Sequence, residues 1–140
     1  MLNTGAAAKA WVDACLHAWP TKDPGPLAAL YAKDGVFLSH PFRDPLVGPA
    51  GAREYVTWAT ADQAAVECAF GEPIVAGDRA AIEWWAVITS HDGSAETVAG
   101  TSLLRFDGDG RVVEDCAYWG SESGRREPPS TFKPSRTARG

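Results

Sequence analysis

Cysteine is scarce in this chain. Cys15, Cys68 and Cys116 make an odd set without a C-x-x-C pair, so neither a disulfide framework nor a zinc knuckle is expected. Asp13 and His17 are the one His and carboxylate pair at i, i+4 within a predicted helix, too few ligands for a metal site, so no metal is expected either. Long apolar runs are missing too, and nothing approaches the roughly 18 residues of a membrane helix. The start of the chain sets Lys9 and Asp13 among alanines, without the basic opening and unbroken apolar stretch of a secretion signal. A cytoplasmic protein without membrane contact is the expectation. Positive charge is sparse outside one end: residues 1–120 carry eight basic against sixteen acidic side chains, while Arg125, Arg126, Lys133, Arg136 and Arg139 cluster near the C-terminus. An acidic body argues against nucleic acid as the partner, because phosphate binding needs a basic face.

The chain has 140 residues, of which 45% are hydrophobic and 22% charged, the composition of one ordinary globular domain. Six tryptophans are many for this length. They either fill a core or line a pocket.

Ala7, Trp11, Cys15 and Trp19 recur every four residues, which predicts a helix over 4–19 with one buried face, stopped by Pro20. Asp23-Pro24 reads as an N-cap and first turn of a short second helix in which Leu27, Leu30 and Tyr31 share a face, closed by Asp34-Gly35. A short strand, Val36-Phe37-Leu38, precedes His40-Pro41 and the loop Arg43-Asp44-Pro45. Gly48-Pro49 opens a third helix to about Ala61, with Tyr55 and Trp58 on one side. Beyond Gln63, turn clusters separate four strands near 65–70, 79–89, 96–106 and 111–119. Their short separations imply antiparallel hairpins. The pattern predicts an α+β domain over 1–120, three N-terminal helices on a strongly bent, mainly antiparallel sheet, with a pocket at the wide end. Residues 121–140 read as a flexible basic tail.

That order of elements, with Leu30-Tyr31-Ala32-x-Asp34, His40-Pro41-Phe42 and Gly48, resembles the cone-shaped nuclear transport factor 2 (NTF2)-like superfamily. Its members include SnoaL-like polyketide cyclases, limonene-epoxide hydrolases and ketosteroid isomerases. Leu104-Arg105-Phe106-Asp107, Gly110-Arg111, Ala117-Tyr118-Trp119 and Arg126-Glu127-Pro128 are similar to the last hairpin and tail of bacterial ketosteroid isomerases. The resemblance implies a homodimer through the convex face of the sheet. It does not carry over the familiar catalytic groups: the oxyanion-hole tyrosine falls on Cys15, the protonated aspartate on Ser102, and the proton-shuttling aspartate on His40 or Ser39. The hydrolase set would need an aspartate near Ala117.

Strand alternation supplies candidates in their place. The last strand offers Val113, Asp115, Ala117 and Trp119 on one face, which the resemblance turns inward. A gap-free register adds Gly100, Ser102 and Leu104, then Glu83, Trp85 and Val87. One extra residue in the turn at 90–93 would exchange Glu83 and Trp85 for Trp84 and Ala86. Trp11, Cys15 and Trp19 would come from the first helix, Phe42 and Tyr55 from the mouth. Within such an aromatic cavity His40 would move a proton, Asp115 would orient it, and Ser102 with an indole N–H would hold an oxyanion. Read alone, His40 before Pro41 also fits a backbone-bonded loop histidine, and Asp115 also fits a strand end that reaches water. The expected function is cofactor-independent acid–base catalysis, of isomerase or cyclase type, on an apolar polycyclic, polyketide-like or steroid-like substrate. The alternatives are a non-catalytic hydrophobic-ligand-binding protein and a hydrolase or lyase using a pocket carboxylate.

Overall fold

The computed structural model describes residues 2–140. Asn3 caps the first helix, α1 (Thr4–Thr21), by accepting the Ala6 N–H at 3.0 Å. The helix runs through Pro20 for one further residue and ends at Lys22, whose left-handed backbone (φ 63°) lets its N–H reach the Ala18 carbonyl at 2.8 Å. The second helix is one turn, α2 (Gly25–Ala28). Tyr31 therefore does not extend a helical face. It opens β1 (Tyr31–Leu38), where the expected strand is only the last three residues. Asp34-Gly35 is an irregularity inside that strand rather than a turn: the β1 pairing shifts between Tyr31 and Val36, and a Cβ on Gly35 would lie 2.6 Å from the Val112 carbonyl oxygen.

After β2 (Leu46–Val47) and α3 (Gly48–Ala59) come β3 (Gln63–Gly71), β4 (Ile74–Ala76), β5 (Arg79–Ser90), β6 (Ala95–Phe106), β7 (Val112–Ser123) and β8 (Pro134–Arg139). The path β2-β1-β7-β6-β5-β3-β8 forms one curled, unclosed sheet, with β4 paired to β5 beside it. Among the described residues only the β1 and β7 pairing is parallel; the central β3-β5-β6-β7 run is the expected antiparallel meander. Its turns are fixed by side chains: Asp92 accepts the Ser94 N–H at 2.8 Å, and Asp107 accepts those of Asp109 and Arg111 at 2.9 and 3.0 Å. The helices lie on the concave side over a core that includes Trp11, Ile82, Leu104 and Phe106. None of the helices described is long and apolar enough to cross a membrane.

Residues 134–139, read from sequence as part of a flexible tail, instead form β8, paired antiparallel to β3 from Glu67–Arg139 to Gly71–Pro134. The segment before it crosses the outer face of the sheet. Phe132 is 5% exposed and packs on Trp85 at 6.3 Å between ring centres, and Arg126 N–H donates to Thr97 Oγ1 at 2.9 Å. Arg125 pairs with Glu67, and Arg136 with Asp13 of α1. Polar composition hides this role because one aromatic residue and the backbone do most of the docking.

Candidate active site

Strand register decides what enters the hollow. The turn between β5 and β6 pairs Thr89 with Ala95 and Ile82 with Ser102, one residue away from the gap-free register. Ala80, Ile82, Trp84 and Ala86 are consequently buried on the concave side. Glu83, Trp85 and Val87 take the outer face, correcting their assignment to the pocket. On β6 and β7 the parity is the expected one: Ser102 pairs with Ala117, Leu104 with Asp115 and Gly100 with Trp119.

The concave side holds a cavity of about 440 Å³, within the range of small-molecule sites. Five of the six tryptophans line it: Trp11, Trp19, Trp58, Trp84 and Trp119. Cys15, Tyr55, Ser102, Asp115 and Ala117 line it too. Gly100 faces the same side but lies beneath Trp119, where an added Cβ would be 2.5 Å from that of Trp119, and it does not line the cavity. Phe42 is 92% exposed on the loop outside.

His40 also stands outside the cavity wall. Its Nδ1 accepts the Phe42 backbone N–H at 3.3 Å, and its ring meets the edge of Trp119 at 5.2 Å between centres. The following Pro41 and the tight turn closed by Arg43 N–H on the His40 carbonyl turn the side chain away from the hollow. The His40 and Asp115 pair expected from sequence is therefore not formed.

Asp115 is paired with a different group. Tyr31, at the head of β1, donates its hydroxyl to Asp115 Oδ2 at 2.5 Å and receives the Trp11 indole N–H at 3.2 Å. The three residues are 3–5% exposed. Among the described residues, only Gln63 Oε1 and Asp115 Oδ1 are buried side-chain oxygens without a hydrogen-bond partner, and Asp115 alone of the two belongs to the cavity wall. Burial pushes the Asp115 carboxyl up to about 7, against the smaller opposing effect of the Tyr31 hydrogen bond. Burial, reinforced by Asp115, raises the pKa of Tyr31 and of Cys15 further from neutrality, so neither ionises in its place.

A second hydrogen-bonded pair faces the same space. Trp84 Nε1–H donates to Ser102 Oγ at 3.0 Å, which leaves the serine hydroxyl hydrogen free to donate onward. Ser102 pairs with Ala117 while Asp115 pairs with Leu104, so Ser102 and Asp115 are diagonal neighbours on one face, about 7–8 Å apart at Cα. A proton acceptor and a hydrogen-bond donor thus share one apolar chamber. Tyr31 escapes the sequence reading because its periodicity suits a helix as well as a strand. Trp84 was legible only as the alternative register.

Comparison with known proteins agrees with this architecture. The family model described as a SnoaL-like domain matches residues 12–115. A ketosteroid isomerase-like-fold protein of Catenulispora acidiphila, solved with trimethylamine, is similar at 24% identity and a TM-score of 0.67, over 77% of this chain and 83% of its own. An NTF2-like protein of unknown function from Exiguobacterium follows at 18% and 0.66, over 79% and 98%. The epoxide hydrolase/cyclase-like enzyme SalBIII, of pyran ring formation in the polyether salinomycin, shares 14% identity and a TM-score of 0.71 over 86% and 95%. No curated protein matches significantly. At these identities the structural likeness carries the fold alone, and it is the domain match over most of the chain, on an NTF2-like cone, that places this protein in the SnoaL-like family.

Proposed function

We propose that the protein is a cofactor-independent acid–base catalyst, of isomerase or cyclase type, acting on an apolar polycyclic carbonyl compound, with Asp115 as the proton-transfer group. The observation that carries this reading is the unpartnered Oδ1 of a carboxyl that lines an aromatic cavity and titrates near neutrality. A base with that affinity takes a proton from carbon and gives it back within one turnover. Asp115 carboxylate removes the hydrogen α to a carbonyl, and the electron pair moves onto the carbonyl oxygen. Ser102 O–H, polarised by the Trp84 N–H behind it, receives the developing oxyanion. An enolate conjugated with a neighbouring C=C regains the proton from Asp115 at its γ carbon, and one that attacks a second carbonyl of the same molecule closes a ring whose new alkoxide takes that proton from Asp115. Tyr31 acts as a positioning residue: it holds Oδ2, leaving Oδ1 to face the substrate. His40 has no role in this scheme.

Hydrogen exchange tests it. Polycyclic ketones incubated with the protein in heavy water are expected to acquire deuterium at the α carbon, followed by mass spectrometry. Asp115→Asn, which keeps the shape and the Tyr31 hydrogen bond, is expected to slow that exchange by at least ~100-fold, the usual worth of a general base. Exchange that persists in Asp115→Asn removes the proposal. A ketone that binds but never exchanges leaves the ligand-binding alternative, and heavy oxygen incorporated from labelled water points to the hydrolase alternative.

A further inference from the structure

Among the described residues one cation lines the cavity, and it is at the mouth. Arg43 leaves the loop between β1 and β2 with its guanidinium carbon 5.0 Å from the centre of the Trp58 ring and 5.2 Å from that of Trp119. Both faces of contact are apolar and rigid, which holds the planar head in place. One of its five N–H groups, on Nη1, is used on Ser39 Oγ at 3.2 Å. Among the described residues no carboxylate lies within ion-pair distance, although Arg105, Arg125, Arg126, Arg136 and Arg139 all have one. A fork of unused donors facing a hollow is suited to a carboxylate or another planar oxyanion.

From this we infer that Arg43 is the anchor for an anionic group on the substrate, so that the site takes apolar polycyclic acids rather than neutral polycycles. The inference rests on the proposed chemistry for the far end of the molecule and adds its near end. Strand geometry supplies the gauge. Trp119, under Arg43, and Asp115 are four residues apart on one face of β7, about 13 Å along the strand. That is the span of three or four fused six-membered rings. Tyr55 lines the same wall as both groups. The acidic members of the wall other than Asp115 are Asp62 and Glu96, and Glu96 stands away from Asp115, four residues beyond Gly100, the partner of Trp119, on β6. An acid entering the cavity is held at Arg43, which leaves its rings to run along the strand toward Asp115.

The test compares anthracene carboxylic acid, substituted on an end ring, with its methyl ester, using quenching of the wall tryptophans in the full-length protein to read affinity. The carboxylate is expected to bind at least ~10-fold more tightly than the ester, as a charge-assisted hydrogen bond confers. Arg43→Gln is expected to erase that preference, read as the ratio of the two affinities, and Arg43→Lys to restore part of it. Equal binding of acid and ester by the native protein overturns the inference, as does an equal loss for both in Arg43→Gln, or no binding of either. Asp115→Asn keeps the preference for the acid whatever its effect on hydrogen exchange, so failure of the anchor and failure of the catalytic reading give different results.

Discussion

Asp115 carries a cost that its surroundings do not remove. Its carboxyl is raised from 3.8 to about 7 by burial, so the folded protein keeps a proton that the unfolded chain has released across that interval. Because the native state then binds more protons than the unfolded one, this residue's contribution to stability declines as pH rises from about 4 to 7 and levels off above. A shift of this size corresponds to at most about 4 kcal/mol. Asp115→Asn has no proton to lose, and urea unfolding at pH 5 and pH 8 is expected to show the variant gaining on the native protein at the higher pH. If the difference between the two proteins is the same at both, the carboxyl is not raised and the proton-transfer reading weakens with it. The same group that taxes the fold at pH 8 is the one a base catalyst needs there.

At the scale of elements, the hinge of the site is the approach of β6 to β7 at Gly100. A Cβ there would sit 2.3 Å from the Tyr118 carbonyl oxygen and 2.8 Å from the Trp119 Cα, contacts that no side-chain rotation relieves. The absence of a side chain lets Trp119 fold across the strand, where its indole N–H donates to the Ser39 carbonyl at 2.6 Å and its ring carries Arg43. Gly100→Ala is expected to cost about 1–3 kcal/mol through forced separation of the strands, read as a lowered Tm. It should also loosen the Trp119 side of the mouth, seen as a change in tryptophan emission. An unchanged Tm would mean that the strands have slack at this point and that the bend is set elsewhere.

For the whole molecule, the C-terminal segment is structural cover. It adds an edge strand to β3 and seats Phe132 on Trp85, thereby occupying part of the convex face through which a homodimer was expected from sequence. A chain ending at Ser123 loses both. Burying a phenylalanine is worth roughly 1.5–3 kcal/mol, so the truncated protein is expected to melt at least ~5 °C lower and to self-associate through its opened edge. Light scattering and thermal denaturation check the two effects; a truncated protein as stable and as monodisperse as the full chain would show that the segment adds nothing to the fold.

The order of helices and of the meander follows from local pattern: the four-residue recurrence from Ala7 to Trp19, the Gly48-Pro49 helix start, and the Asp-Gly turns that separate alternating strands. The same alternation places Ser102, Asp115, Ala117 and Trp119 on one face, because parity within a hairpin of short loop is a local property. Which of Trp84 and Trp85 turns inward depends on a single residue in the turn before Ala95, a difference that composition does not encode. The partner of Asp115 was beyond reach for a different reason. Tyr31 lies 84 residues away and meets it only because β1 joins β7 in parallel, while His40, nearer in expectation, is turned out by its own loop. Sequence determined that an acid and a hydroxyl face a greasy hollow; the long-range pairing of strands decided which side chains hold them there.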